Sequence, residues 1–352
     1  MGTDDEGALG GHDERRRTGS VTLQDVAREA GVHPSTVSRA LDPSKSGRVK
    51  ESTRSHVVDV ANRLGYRPDM LARGLQSGRT GTIGVVVADL GNTFVTPLIH
   101  GIAASLDDAG VLSVVAESQD DHSRLSNIVE HMLSRRVDGI ITLAARTGDQ
   151  AVLEAANRIV PVVLASRPLE DTPLHQVIHD NEKGGRLAAE HLAGLGHRTV
   201  AQLEGPDDIL NFPRRRHGFR TIVGSEGLDE VPVPDRARRP TIDEGARLMT
   251  ELLDSSARVP TAVFAHNDLM AIGALTVLRA RGLRVPDDVS LVGYNDMPLA
   301  DHLSPPLTTV RYRTFEVGRR AGDMMVQLLG DHECENVVLE PTLVARGSSR
   351  RP

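Results

Sequence analysis

The sequence predicts two architectures in one chain: a small all-α module, then an α/β region built on parallel sheets with helices on both faces. Three observations carry this. Between Val21 and Tyr66, apolar residues recur at helical spacing in three short runs. After Gly81 the pattern changes to short apolar runs alternating with amphipathic stretches of helical length, the signature of parallel strands joined by crossover helices. Those runs fall into two successive series, which predicts two lobes rather than one sheet.

The N-terminal module is read first. Residues 1–19 are Gly-rich and charged without periodicity, and are expected to be a disordered tail. Thr22 and Asp25 form a capping box that opens a first helix, and Gly31 ends it where the turn needs positive φ. Pro34 starts a second helix at the position where a missing N–H costs nothing. Its inward face is Val37, Ala40 and Leu41, against Val26, Ala27 and Ala30 of the first. A third helix over about 51–64 closes the small core with Val57, Val58, Val60, Ala61 and Leu64. This is a helix-turn-helix, whose second helix presents its N-terminal side chains to a DNA major groove.

Pro68 then breaks the chain, and residues 67–80 are expected to be a hinge segment. Strands are expected at Ile83–Val87, Val111–Ala116, Gly139–Leu143, Pro161–Ala165 and Val177–His179, then at Thr199–Leu203, Thr261–Ala265 and Val289–Gly293. Helices are expected at 95–109, 123–136, 183–195, 213–223, 243–253 and 268–281, with a last one at 314–329 crossing back to the first lobe. The two-lobed region spans 81–346, with lobe 1 at about 81–166 and 312–339, lobe 2 at about 167–311 and 340–346, and a tail at 347–352. Ligands of such open sheets sit beyond the carboxyl ends of the strands.

Composition narrows the function. Of 352 residues, 39% are hydrophobic and only 2% aromatic, so the core must be aliphatic. The single cysteine, Cys334, excludes an intramolecular disulfide framework and any multi-cysteine metal site. No apolar run approaches the roughly 20 residues that cross a bilayer, and the charged first 20 residues carry no secretory signal, so a cytoplasmic protein is expected. Net charge is −7, but residues 15–80 carry +7 while residues 1–14 carry −5 and residues 81–352 carry −9. A basic segment on an acidic body fits a nucleic-acid arm joined to a domain with another task. No Gly-x-Ser-x-Gly elbow, phosphate loop or His-Glu-x-x-His is present, so no enzyme is expected. Asp120-Asp121-His122 carries metal-ligating residue types, but is expected to be a solvated loop, and no cofactor is implied.

Val21-Thr22-Leu23-Gln24-Asp25-Val26-Ala27-Arg28-Glu29-Ala30-Gly31-Val32, followed by Ser35-Thr36-Val37-Ser38-Arg39-Ala40-Leu41, closely resembles the LacI/GalR family of bacterial transcription regulators. So do Gly65-Tyr66-Arg67-Pro68, Ala72-Arg73-Gly74-Leu75, Asn267-Asp268-Leu269-Met270-Ala271 and Pro306-Leu307-Thr308-Thr309-Val310, in family order, so that the resemblance covers about 21–345. It implies a DNA-binding headpiece, a hinge and a two-lobed effector domain of the periplasmic-binding-protein type. The implied partners are double-stranded operator DNA and a small-molecule effector, a sugar or sugar derivative, with no membrane partner. The implied assembly is a homodimer or tetramer; a dimer is expected, because the chain ends soon after Val344-Ala345-Arg346 without a heptad tail.

The resemblance also implies roles for particular residues. Base reading falls on Pro34, Ser35 and Arg39, with Arg39 suited to a bidentate contact with guanine. Thr22, Thr36 and Ser38 are expected to contact phosphates or to cap, Arg73 to bind DNA from the hinge, and Leu75 to wedge into the minor groove. Effector contacts fall on Phe94, Ser166, Phe212, Arg215, Pro240, Asn267 and Asn295. Five positions depart from the family pattern. His33 replaces a Ser cap and is expected to cap poorly; Gly74 weakens the hinge helix; Ser166 and Asn295 replace aspartates, and Pro240 a ring-stacking aromatic. The stretch Asp42–Arg48 also looks about two residues longer than the common form. The departures at Asn295, Pro240 and Ser166 disfavour a flat purine and leave a sugar ahead. A regulator is the reading this favours over a stand-alone sugar-binding protein or an architectural DNA-bending protein.

Overall fold

The computed structural model describes residues 21–41, 48–66, 79–256 and 258–352. The expectations for the tail at 1–19, for the long turn at 42–47, and for Arg73, Gly74 and Leu75 fall outside the described residues. The chain divides into two compact units, residues 1–78 and 79–352.

In the first unit, α1 (Leu23–Ala30), α2 (Pro34–Ala40) and α3 (Glu51–Leu64) enclose a core of Val26, Ala27, Ala30, Val37, Ala40, Val57, Val60 and Ala61. Four of these eight are alanines, so the helices cross closely; Val58 is only half-buried. The Thr22 hydroxyl accepts the Asp25 N–H at 3.3 Å and the Asp25 carboxylate accepts the Thr22 N–H at 3.0 Å, closing the expected box. Gly31 at φ +63° and Gly65 at φ +67° end α1 and α3.

The second unit holds two six-stranded sheets. Its elements run β1 (Thr82–Val87), α4 (Val95–Asp108), β2 (Leu112–Glu117), α5 (His122–Ser134), β3 (Gly139–Thr142), α6 (Gln150–Asn157), β4 (Val162–Ala165) and β5 (His175–His179). Then follow α7 (Asn181–Leu195), β6 (Thr199–Leu203), α8 (Asn211–Glu226), β7 (Asp229–Glu230), α9 (Ile242–Ser255), β8 (Ala262–Ala265), α10 (Asp268–Ala280) and β9 (Ser290–Asn295). β10 (Thr308–Arg311), α11 (Thr314–Leu329), β11 (Val337–Leu339) and β12 (Thr342–Val344) complete it. The first sheet is ordered β11-β5-β4-β3-β1-β2 and the second β12-β10-β9-β8-β6-β7; all pairs are parallel except β10–β12.

Two boundaries differ from the sequence reading. β5 pairs with β4, so residues 175–179 belong to the first lobe and the first crossing comes at Asp180 rather than near 167. Residues 347–352 are not a free tail: Ser348 is buried, its hydroxyl donating to Leu291 O at 2.6 Å, and Arg350 N–H donates to Ser290 Oγ at 3.0 Å. The edge strands β7, β11 and β12, of two or three residues, were too brief for a periodic signal, and β10 and α6 were not anticipated either.

Helices cover both lobes, and three helix pairs each meet through two reciprocal glycines: Gly101 with Gly318, Gly185 with Gly218, and Gly245 with Gly273. A Cβ on Gly185 would overlap the Arg215 carbonyl, and one on Gly218 the Glu182 carbonyl, so α7 and α8 touch backbone to backbone. That crossing fixes where Arg215 stands. Gly218→Ala is therefore expected to cost roughly 1–3 kcal/mol through overpacking, read as a lower denaturant midpoint. Gly224→Ala, on the same helix but facing open space, should be neutral or stabilising by up to about 1 kcal/mol. Equal effects at the two positions would refute the close-crossing explanation.

Candidate functional site

In the headpiece, burial of Val37 and Ala40 turns the opposite side of α2 outward, so Ser35, Ser38 and Arg39 are exposed, with Pro34 and Thr36 half-buried. Arg39 has no ion-pair or hydrogen-bond partner among the described residues. Thr22 is committed to its helix, because its hydroxyl also donates to Asp25 Oδ2 at 2.6 Å. His33 caps after all: its Nδ1 accepts the Ser35 N–H at 3.2 Å, a ring nitrogen doing the work of the expected hydroxyl. The same nitrogen lies 2.9 Å from Ser35 Oγ.

In the larger unit the chain passes between the sheets three times, at 179–181, 311–314 and 339–342. These segments are tied together. The His179 ring stacks on Tyr312 at 3.8 Å, His179 Nε2 accepts the Arg313 N–H at 3.0 Å, and Asp180 N–H donates to Leu339 O at 3.0 Å. Because Nε2 accepts, the ring proton sits on Nδ1, which is buried without a partner. Burial, then the nearby Arg215 and Arg313 charges, push the His179 pKa down to about 3.

A cavity of about 260 Å³ opens between the lobes, at the carboxyl ends of β1, β2 and β4. Of the seven effector residues carried over from sequence, Phe94, Ser166 and Pro240 line it. The other four lie behind it in this conformation. Arg215 is 3% exposed; its Nε donates to Asn181 Oδ1 at 2.9 Å, its Nη1 to the His266 carbonyl, and its Cζ lies 3.6 Å from the Tyr294 ring centre. That guanidinium is held in a buried cation–π and hydrogen-bond setting, and burial lowers its pKa. Asn267 caps α10, accepting the Met270 N–H at 2.7 Å, and its amide donates to Pro240 O at 2.9 Å, so it holds the loop that lines the cavity. Phe212 packs on Gly205, within 5.2 Å of the Arg215 guanidinium. Asn295, at φ +116°, leaves its Oδ1 buried and unbonded.

The sequence reading missed Asp89, Asn92, Glu117, Gln119, Asp120, Arg167, Arg239 and Thr241, all of which line the cavity. Most follow directly on β1, β2 or β4, so the strand-end rule would have found them. Asp120, expected in a solvated loop, packs into the cleft wall with Arg167 Nη1 2.5 Å from its carboxylate. Burial alone would raise its pKa; the charges of Arg167, Arg146 and Arg239 leave it lowered. Glu117 is likewise lowered, first by the Leu90 N–H it accepts. Arg239 is exposed, and beyond its charge acting on Asp120 its side chain has no hydrogen-bond or ion-pair partner among the described residues. A larger hollow of about 450 Å³ lies alongside, lined by Arg146, Glu204, Asp207, Asp208, Arg220 and Arg236 among others. Its charges satisfy one another: Glu204, 9% exposed, is bound by Arg216, Arg220 and Arg236 at 2.9, 2.8 and 2.7 Å. A ligand there would have to displace ion pairs, whereas the smaller cavity offers carboxylates, an aromatic edge and an unpaired arginine. No group of residues suited to a metal ion occurs among the described residues, and no described helix is long and apolar enough to cross a membrane.

Residues 22–69 match the family described as bacterial regulatory proteins of the lacI family, and residues 189–349 match the periplasmic binding protein-like domain. The chain is 35% identical to the HTH-type transcriptional regulator CelR of Thermobifida fusca, over 95% of this chain and 99% of that one. It is 30% identical to the transcriptional repressor CytR of Escherichia coli, over 96% and 98%. Among solved structures, a lac repressor dimer bound to operator and the anti-inducer ONPF superposes with TM-score 0.84 at 29% identity, covering 94% of this chain and all of that one. A CelR–cellobiose complex superposes with TM-score 0.69 at 34% identity, covering 93% and 99%.

His179, at the first of the three crossings that form the hinge between the lobes, has a pH dependence of definite sign. An unfolded chain takes up a proton on this residue near pH 6.5, but the folded one does so only near pH 3. Its contribution to stability is therefore complete above pH 6.5 and is lost progressively as pH falls towards 3. Buried Asp268, raised to about 7 mainly by burial, acts in the opposite sense, losing stability as pH rises from 3.8 to 7. The residue-specific readout is thus the His179 ring carbon shift by NMR, which should stay at its neutral value from pH 7 to pH 5. Titration with a midpoint near 6.5 would refute the buried neutral hinge.

Proposed function

The chain belongs to the LacI family of bacterial regulatory proteins, and from that premise we propose that it is a cytoplasmic repressor whose hold on operator DNA is set by a sugar bound between its lobes. One observation carries the reading. A single chain joins a capped helix that turns Ser35, Ser38 and Arg39 outward to a two-lobed unit with a polar cavity at its strand ends. Pro34, Ser35 and Arg39 meet base edges, while Thr36, Ser38 and the capped N-terminus at Thr22 orient the headpiece against phosphates. Arg73 and Leu75 extend the contact from the hinge, Leu75 into the minor groove.

The chemistry of the cavity supports a sugar. Asp89, Glu117 and Asp120 present carboxylates that accept from hydroxyls, Arg239 donates, and Phe94 and Pro240 supply apolar faces for ring C–H groups. Ser166 lines the wall between them. CelR has been solved with cellobiose, which makes a small neutral saccharide the first probe. Arg215, Asn267, Phe212 and Asn295 act from behind the cavity, setting the hinge and the Pro240 loop rather than gripping the ligand.

A homodimer is supported by the edge strand β2, where Leu112, Val114 and Val115 are 61%, 46% and 37% exposed. An unpaired apolar edge of this kind is a natural partner surface.

Selection of duplexes from a random pool, with and without a panel of neutral mono- and disaccharides including cellobiose, tests the reading. A near-palindrome should be enriched, and a sugar in the panel should change its affinity. Arg39→Ala should lose about 1–3 kcal/mol of discrimination at one base pair per half-site while keeping salt-dependent non-specific binding. Leu112→Glu with Val114→Lys should shift sedimentation from dimer to monomer. No enrichment under any condition would overturn the regulator reading.

A further inference from the structure

We propose that Arg146 and Asp208 form a latch between the lobes that sets how readily the cleft closes, and that Asp120 links this latch to the bound effector. The second clause rests on the sugar-cleft reading above; the first does not.

Arg146 follows β3 in the first lobe, and Asp208 lies between β6 and α8 in the second. They meet in a two-pronged contact, Nε to Oδ2 at 2.7 Å and Nη2 to Oδ1 at 2.8 Å. A backbone bond runs beside it, from Thr147 N–H to Asp208 O at 2.9 Å. Both ends are fixed within their own lobes. Buried Asp149 accepts the Arg146 N–H at 2.9 Å, while Asp207 is held by Arg216 at 2.7 Å and Arg236 at 2.8 Å. A parallel fork between two fixed backbones is far more directional than the interlobe ion pair of Arg214 with the exposed Glu170, at 3.1 Å through one nitrogen.

The link to the cleft is the remaining prong. Arg146 Nη1 donates to Asp120 O at 3.2 Å and stands 3.7 Å from the Asp120 carboxylate. Asp120 in turn lines the cavity and holds Arg167. A hydroxyl that engages Asp120 therefore acts on the residue that anchors the arginine of the latch. The pair itself lies outside the 260 Å³ cavity. It biases open against closed lobes, and an effector that binds only the closed cleft gains or loses affinity by that same factor.

The test uses the full-length protein without DNA or sugar. Hydrogen exchange is followed at Thr147, Asp149 and Phe212 in wild type, Arg146→Met, Asp208→Asn and the double variant. Each single change should speed exchange across 144–149 and 206–212 by roughly 2- to 150-fold, the range for directly coupled residues, with β3 and β6 unaffected. The double variant should be no faster than the faster single one. Unchanged exchange, additive effects, or acceleration throughout both lobes would each overturn the latch. In a second arm, every panel sugar that binds wild type should bind Asp208→Asn more weakly by one common factor. A factor that differs from sugar to sugar would overturn the regulatory role, since it would mean direct contact. If no panel sugar binds wild type, the sugar reading and the Asp120 link fall, while the exchange result still decides the latch.

Discussion

Passing a chain three times between two sheets imposes a demand that the rest of the larger unit serves: the crossings must be buried, yet their polar groups need partners. Here the solution is a cluster of rings and amides. His179 stacks on Tyr312 and accepts the Arg313 N–H, the Tyr312 hydroxyl and Asn211 amide both donate to Ser166 O, and Arg215 stacks on Tyr294. The histidine stays neutral because it is buried, and the nearby Arg215 and Arg313 charges add to that effect. Among the described residues, His179 Nδ1, Asn211 Oδ1, Tyr294 Oη and Asn295 Oδ1 are buried without a hydrogen-bond partner, and they mark where packing rather than hydrogen bonding holds the crossings.

Around those crossings, each lobe is closely packed. Three helix pairs meet backbone to backbone through reciprocal glycines, and the central strands β1, β3, β4 and β8 are buried along nearly their whole length. Charge is distributed accordingly. Glu204 and its three arginines weld one side of the second lobe, where every acid has a base. The cleft is left with carboxylates and an arginine that are not fully paired, which suits a surface that must exchange water for ligand hydroxyls.

How much was legible depended on the range of the interaction concerned. The headpiece was legible in detail, because capping boxes, helix-ending glycines and small core residues act within a few positions of one another. The central strands and long helices were legible from periodicity. The lobe boundary was not: β5 contains three residues of apparent strand pattern, and only pairing with β4 assigns it to the first sheet. His33 illustrates the same limit on a small scale, since a ring nitrogen can replace a hydroxyl as a cap only if the rotamer brings it to the Ser35 N–H.

The sequence by itself determined the two-module architecture, the outward face of the reading helix and the positions from which a ligand is approached, because these follow from local periodicity and motif. Tertiary structure decided which side chains face the cavity. Arg215 and Asn267 are consumed by buried neighbours that lie far away in sequence, at Asn181, Tyr294 and Pro240, whereas Asp120 and Arg167, unremarkable as letters, are brought together at the cavity wall. A polar side chain has only so many hydrogen bonds to give, and where they go is set by the partners folding brings within about 3 Å.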